Sequence, residues 1–90
     1  MAAGQSATSD EMMKELTTWI SQKVVKGKGE INEDTPLVSS GLVDSFALIQ
    51  IFMQLQKIAG VKVPPSKVEA TDMETVRTMF ATAAKFGRPA

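Results

Sequence analysis

The 90-residue sequence contains no cysteine and no histidine. Without cysteine there is no disulfide, no thiolate zinc site and no thiol nucleophile of the chain's own. Without histidine, Ser–His–Asp and Cys–His constellations cannot be assembled from this chain. General-base chemistry at neutral pH rests most often on that side chain. A serine–lysine dyad survives the exclusion, but a domain of this size has little volume for a substrate cleft, and a non-catalytic role is expected, with no catalytic residue and no metal ligand to name. An excess of either charge is also missing: ten basic residues balance ten acidic ones. The basic surplus that phosphate-backbone binding needs is therefore absent, and nucleic acid is not an expected partner. No apolar run reaches the roughly 18 residues of a membrane span. The stretch from Met1 to Ser9 has neither a basic nor an apolar region of the kind a secretory signal needs, so the cytoplasm is the expected location. What is present is a hydrophobic fraction of 43%, ordinary for a globular chain and enough for one small domain.

The pattern places that domain over residues 10–86, between tails at 1–9 and 87–90. Thr8-Ser9-Asp10-Glu11 has the form of a capping box, with Thr8 as N-cap. Met12, Leu16, Trp19, Ile20 and Val24 then recur at three- and four-residue steps, the stripe of an amphipathic helix with Trp19 in the core. Gly27-Lys28-Gly29 reads as its end. Glu30 to Val43 is a long connection, yet Ile31, Leu37, Val38 and Leu42 are too apolar to leave in water. Burial of one such side chain is worth about 1.5–3 kcal/mol, so two or three of them pin the loop. Asp34-Thr35-Pro36 and Ser39-Ser40-Gly41 read as turns within it. Long ordered loops in small domains are more often functional than not.

A second helix is expected from Ser45 to about Ala59, with Asp44 as N-cap and Gly60 as terminator. Leu48, Ile51, Phe52, Leu55 and Ala59 form one stripe. Phe46, Ile49 and Met53 form another, which is either core or an exposed contact patch. Val61-Lys62-Val63-Pro64-Pro65 is extended, as residues before proline prefer. One short helical turn over Ser66 to Ala70 follows, with Val68 inward. Thr71-Asp72-Met73-Glu74 has the form of another capping box and predicts a last helix with Met73, Val76, Phe80 and Ala83 or Ala84 inward. Gly87-Arg88-Pro89-Ala90 reads as a loose end. The predicted fold class is all-α: an irregular four-helix bundle of three principal helices and a short one, with a long first loop.

On the residues alone, Ser45 is either an attachment point or an ordinary first-turn serine. The order of the surrounding motifs resolves more. Gly41-Leu42-Val43-Asp44-Ser45-Phe46, then Ile49, Ile51, Met53 and Leu55, then Gly60-Val61-Lys62-Val63-Pro64 resemble the acyl carrier protein family, including its peptidyl and aminoacyl members. Asp34-Thr35-Pro36-Leu37 resembles the segment that precedes the motif there, and the likeness covers roughly Asp10 to Phe86. An Asp-Ser pair alone is a weak motif. The same pair after Gly-Leu at the end of a long loop, about fifteen residues ahead of Gly-Val-x-Val-Pro, is much more specific.

The resemblance implies an acyl-carrier-like bundle and a covalent 4′-phosphopantetheine arm on Ser45, installed from coenzyme A by a phosphopantetheinyl transferase. An acyl or aminoacyl group would ride on the arm as a thioester. Asp44 would help hold the metal and coenzyme A during loading. Leu42, Val43, Phe46, Ile49 and Met53 would meet partner enzymes, namely an acyl- or aminoacyl-loading enzyme and a downstream synthase or transferase. Leu42 and Val43 also read as loop anchors. The chain would act as a monomer.

The chain departs from fatty-acid-type carriers in one respect. No Asp or Glu occurs from Ser45 to Val68, while Lys57, Lys62 and Lys67 do. Gln50, Gln54 and Gln56 take surface positions where acids are expected, and Phe46 replaces the commoner leucine. This favours a discrete carrier for a polyketide, nonribosomal peptide or related pathway over the general carrier of fatty-acid synthesis. Two other classes stay open on the sequence: a helical interaction module without a prosthetic group, and a small hydrolase using Ser45, for which no base is evident.

Overall fold

The computed structural model describes residues 9–27 and 29–89. Helix α1 (Ser9–Ile20) buries Met13, Leu16 and Ile20, whose three- and four-residue spacing puts them on one face. Its expected cap, Thr8, lies outside the described residues. The helix then widens into a π-helical turn over Ser21–Val25, closed by the Lys26 N–H donating to the Ser21 carbonyl at 2.8 Å. A π turn holds one residue more than an α turn. The inward position after Ile20 is therefore Val25, five residues on, and Val24 is only half-buried, contrary to the α-helical spacing. Trp19 is likewise half-buried at the edge of the core rather than within it. The chain leaves through Lys26 itself, in the left-handed region with φ 57°.

Helix α2 (Ser45–Ala59) has the expected bounds. Ile51 and Leu55 are its fully buried residues, and Leu48, Phe52, Ile58 and Ala59 pack around them half-buried. Gly60, at φ 70°, ends the helix with its N–H on the Gln56 carbonyl. Gln56 is no surface substitute for an acid. Its side-chain carbonyl accepts the Val63 N–H at 2.7 Å and fastens the outgoing chain back onto α2.

Two short 3₁₀ turns, Pro65–Lys67 and Ala70–Met73, replace the single short helix. Helix α3 covers Val76–Phe86 and buries Val76, Met79, Phe80, Thr82 and Ala83, while Ala84 stays exposed. The last helix thus begins later than Thr71-Asp72-Met73-Glu74 suggests. Capping boxes form instead at Glu69 with Asp72 and at Thr75 with Thr78. The Glu74 carboxylate is engaged by Ser39 of the long loop and does not cap a helix. Arg88 and Pro89 are also not loose. Strand β1 (Val61–Lys62) pairs antiparallel with β2 (Arg88–Pro89), Val61 opposite Pro89 and Lys62 opposite Arg88.

The architecture is the expected irregular helical bundle with this small ribbon added. Its core joins α1, α2 and α3 through Leu16, Ile20, Ile51, Leu55, Val76 and Met79, and takes Leu37 from the long loop. No helix among the described residues is long and apolar enough to cross a membrane.

Two expectations follow. At Gly87 a Cβ would run into the Ala83 carbonyl oxygen and the Val61 side chain, so Gly87→Ala should cost about 1–3 kcal/mol of stability in urea unfolding. Arg77 holds the Asp34 carboxyl below its ordinary value, chiefly through its hydrogen bond. A carboxyl with a lowered folded-state pKa stabilises the fold above the ordinary carboxylate range, and that contribution is lost as pH falls through its folded pKa. The Tm difference between wild type and Asp34→Asn should therefore be small at neutral pH, reduced by salt, and absent at strongly acid pH.

Candidate functional site

The site is built from the loop that precedes it. Leu37 is fully buried, and its N–H donates to the Glu74 carbonyl at 2.8 Å. The Val43 N–H returns to the Leu37 carbonyl at 3.2 Å, so residues 37–43 form a closed loop. Within it the Gly41 N–H donates to the Val38 carbonyl at 3.1 Å and the Ser40 hydroxyl to the Pro36 carbonyl at 2.6 Å. At its tip Ser39 donates its hydroxyl to the Glu74 carboxylate at 2.6 Å, and its N–H bonds the same group at 3.2 and 3.3 Å. Upstream, the Arg77 N–H donates to the Glu33 carbonyl at 3.0 Å, and the Arg77 guanidinium grips Asp34 at 2.7 and 3.2 Å. A loop that could wander is thus tied along the start of α3. Gly41 turns it toward α2 at φ +80°, a conformation that disfavours any side chain.

The loop delivers Asp44 and Ser45 to the head of α2. Asp44 has extended backbone, its carbonyl accepts the first helical bond from the Leu48 N–H at 2.9 Å, and its carboxylate accepts the Ala47 N–H at 2.8 Å. It is the N-cap the sequence predicts. Ser45 is the first helical residue. It is exposed, and its hydroxyl makes no hydrogen bond among the described residues. The amides of Ser45 and Phe46 lie in the first turn, where no carbonyl of the same helix can reach them. A phosphodiester on that hydroxyl would meet these amides and the positive end of the helix dipole, worth about 0.3–1 kcal/mol. The residues present fit such a group: the hydroxyl is free, unobstructed and held on a rigid helix start.

The sequence-predicted contact residues divide. Phe46, Ile49 and Met53 are 69%, 59% and 64% exposed, so the row faces solvent and is not core. Leu42 is exposed beside them at the loop's end. Val43 is buried at 7% and packs in the core, which corrects its place among the partner contacts: it is a loop anchor. The row has an apolar cleft on one side and a mixed groove on the other. Ile49 edges an open cleft of about 330 Å³ lined also by Leu48, Phe52, Pro65, Val68 and Met73. Met53 edges a groove of about 340 Å³ shared with Trp19, Gln50, Gln54 and Lys57. Among the described residues, no group of three or more acidic side chains is placed to hold a metal ion. Glu74 and Asp34, which with Arg77 hold the loop, read from the sequence only as a capping-box and a turn residue. Their pairings with Ser39 and Arg77 span 35 and 43 residues, and no local pattern marks those pairings.

Replacing Asp44 with alanine should cost about 1 kcal/mol, with Asp44→Asn retaining most of that stability. Thermal unfolding of the two variants against wild type measures it.

The chain matches the family model described as "Phosphopantetheine attachment site" over residues 15–83. It is also similar to D-alanyl carrier protein 2 of Lactiplantibacillus plantarum, with 34% identity over 53 residues, covering 59% of this chain and 66% of the relative. The match thus spans just under two thirds of that relative's length. No solved structure matches.

Proposed function

The chain belongs to the phosphopantetheine-binding acyl carrier protein family, whose members hold 4′-phosphopantetheine covalently, and from that premise we propose that Ser45 is the residue that carries the arm. The observation that supports this most is the exposed, unpartnered Ser45 hydroxyl on the first turn of α2, directly after a capping Asp44. When bound, the arm supplies a terminal thiol that holds an acyl or aminoacyl group as a thioester. The chain itself has no thiol and no histidine, so its own part is to present the serine, to stabilise the phosphate at a helix start and to dock. It is a non-catalytic carrier in the cytoplasm, acting as a monomer.

Asp44 has two jobs in this reading. It caps α2 through one carboxylate oxygen, and it helps hold the metal and coenzyme A when a phosphopantetheinyl transferase loads the arm. Phe46, Ile49 and Met53, with Leu42 beside them, form the surface that the transferase, the loading enzyme and the downstream synthase or transferase dock against. The absence of acids from Ser45 to Val68 leaves basic partner surfaces little to steer toward. That supports docking by apolar contact in a dedicated biosynthetic pathway of the polyketide, nonribosomal peptide or related kind, and weighs against general fatty-acid synthesis. An aminoacyl cargo is favoured by the likeness to a protein named for a D-alanyl group.

Two experiments test this. Incubation with coenzyme A, magnesium and a broad-specificity phosphopantetheinyl transferase should add a single phosphopantetheine to the wild type by intact mass, and none to Ser45→Ala. Failure of several transferases to modify the wild type would leave the bundle as an interaction module with an ordinary first-turn serine. Separately, Ile49→Glu and Met53→Glu should stay within about 0.5 kcal/mol of wild-type stability while transfer of cargo from the loaded chain slows. If either variant unfolds, the row is structural.

A further inference from the structure

We infer that Glu74 is a positioning residue for the modification of Ser45, acting through a carboxylate clamp on the tip of the preceding loop. The inference rests on Ser45 being the attachment serine and adds a residue 29 positions away in the chain to the machinery that presents it.

Glu74 touches the 37–43 loop at two points. Its main-chain carbonyl accepts the Leu37 N–H at the base. Its carboxylate accepts the Ser39 hydroxyl at 2.6 Å and the Ser39 N–H at 3.2 Å at the tip. One point of attachment leaves a loop free to pivot, whereas two points fix its orientation. The base contact is main-chain and independent of side-chain identity. The tip contact is not, and it is the part that depends on a glutamate. The platform beneath it is rigid, because the neighbours Met73 and Val76 are buried at 6% and 0% and Thr75 caps α3.

The far end of the clamped segment is Leu42, Val43 and Asp44. Val43 is anchored in the core, but Leu42 stands exposed between the tip and Ser45. An enzyme that modifies Ser45 must approach across Leu42 and Asp44 together. Releasing the tip leaves residues 38–42 held only by the loop's internal bonds, so the loop can pivot as a unit, and only a fraction of its orientations present that surface correctly. Apparent affinity falls by the competent fraction, while the chemical step in the docked complex is untouched. The role is therefore visible in KM. An acceptor that merely supported the fold would change Tm and leave KM alone.

The test is the steady-state kinetics of phosphopantetheine transfer from coenzyme A, with magnesium and a broad-specificity transferase, at a temperature where circular dichroism shows every variant folded. Glu74→Ala should raise KM for the chain by about tenfold with kcat within twofold of wild type. Glu74→Gln, which keeps a carbonyl oxygen for the Ser39 N–H, should recover most of the loss. Ser39→Ala should fall between wild type and Glu74→Ala, and adding it to Glu74→Ala should change nothing further, since both remove the same contact. An unchanged KM in Glu74→Ala, whatever happens to kcat or Tm, overturns the inference while leaving Ser45 as the attachment residue. A wild type that accepts no arm at all overturns the attachment reading itself.

Discussion

The interaction on which the rest of this small protein depends is the seam between its long loop and the start of α3. The connection over residues 29–44 has no helix or sheet of its own to satisfy its amides. An unpaired polar backbone is expensive wherever it is buried. The solution is to bury two side chains, Leu37 and Val43, and to bond the main chain on either side of Leu37 to residues 74–77. The apolar anchors supply the driving force, and the hydrogen bonds supply the register. Everything downstream inherits that register: the turn at Gly41, the buried Val43, the cap at Asp44 and the orientation of Ser45.

The parts of this arrangement that were legible in the sequence are those written in local chemistry. Asp44 before an apolar run, Gly60 after it, and the two apolar rows between them define α2 to the residue. The row of Phe46, Ile49 and Met53 was ambiguous on periodicity, because a helix of this length has more apolar faces than a small core can take. Burial resolves it. The parts that were not legible depend on partners distant in the chain. Glu74 has the spacing of a helix-capping residue, but a serine 35 positions earlier claims its carboxylate, and α3 starts at Val76. Gln56 looks like surface and is a staple to Val63. Val25 displaces Val24 from the inner face because α1 ends in a π turn, which no three-and-four spacing anticipates. The pairing of Arg88–Pro89 with Val61–Lys62 joins segments that carry no strand pattern of their own.

The chemistry of the site follows from what the fold leaves undone. A helix start has amides without partners, and Asp44 satisfies only the Ala47 amide by side chain. The Ser45 and Phe46 amides have no carbonyl of the same helix within reach. The chain has no thiol of its own, and the family to which it belongs is defined by an imported arm. The apolar row beside the serine is left uncovered by the fold. No acidic residue flanks that row from Ser45 to Val68.

The most direct measure of the account is native-state amide hydrogen exchange resolved by residue. Fixed by Glu74 and by Leu37, the amides of Leu37, Ser39 and Val43 should be slowed at least about 100-fold relative to an unstructured chain. The Ser45 and Phe46 amides at the open helix start should exchange freely. Rapid exchange at Leu37 and Val43, with α2 and α3 still protected, would mean that the loop is not held and that Ser45 is presented by the helix alone.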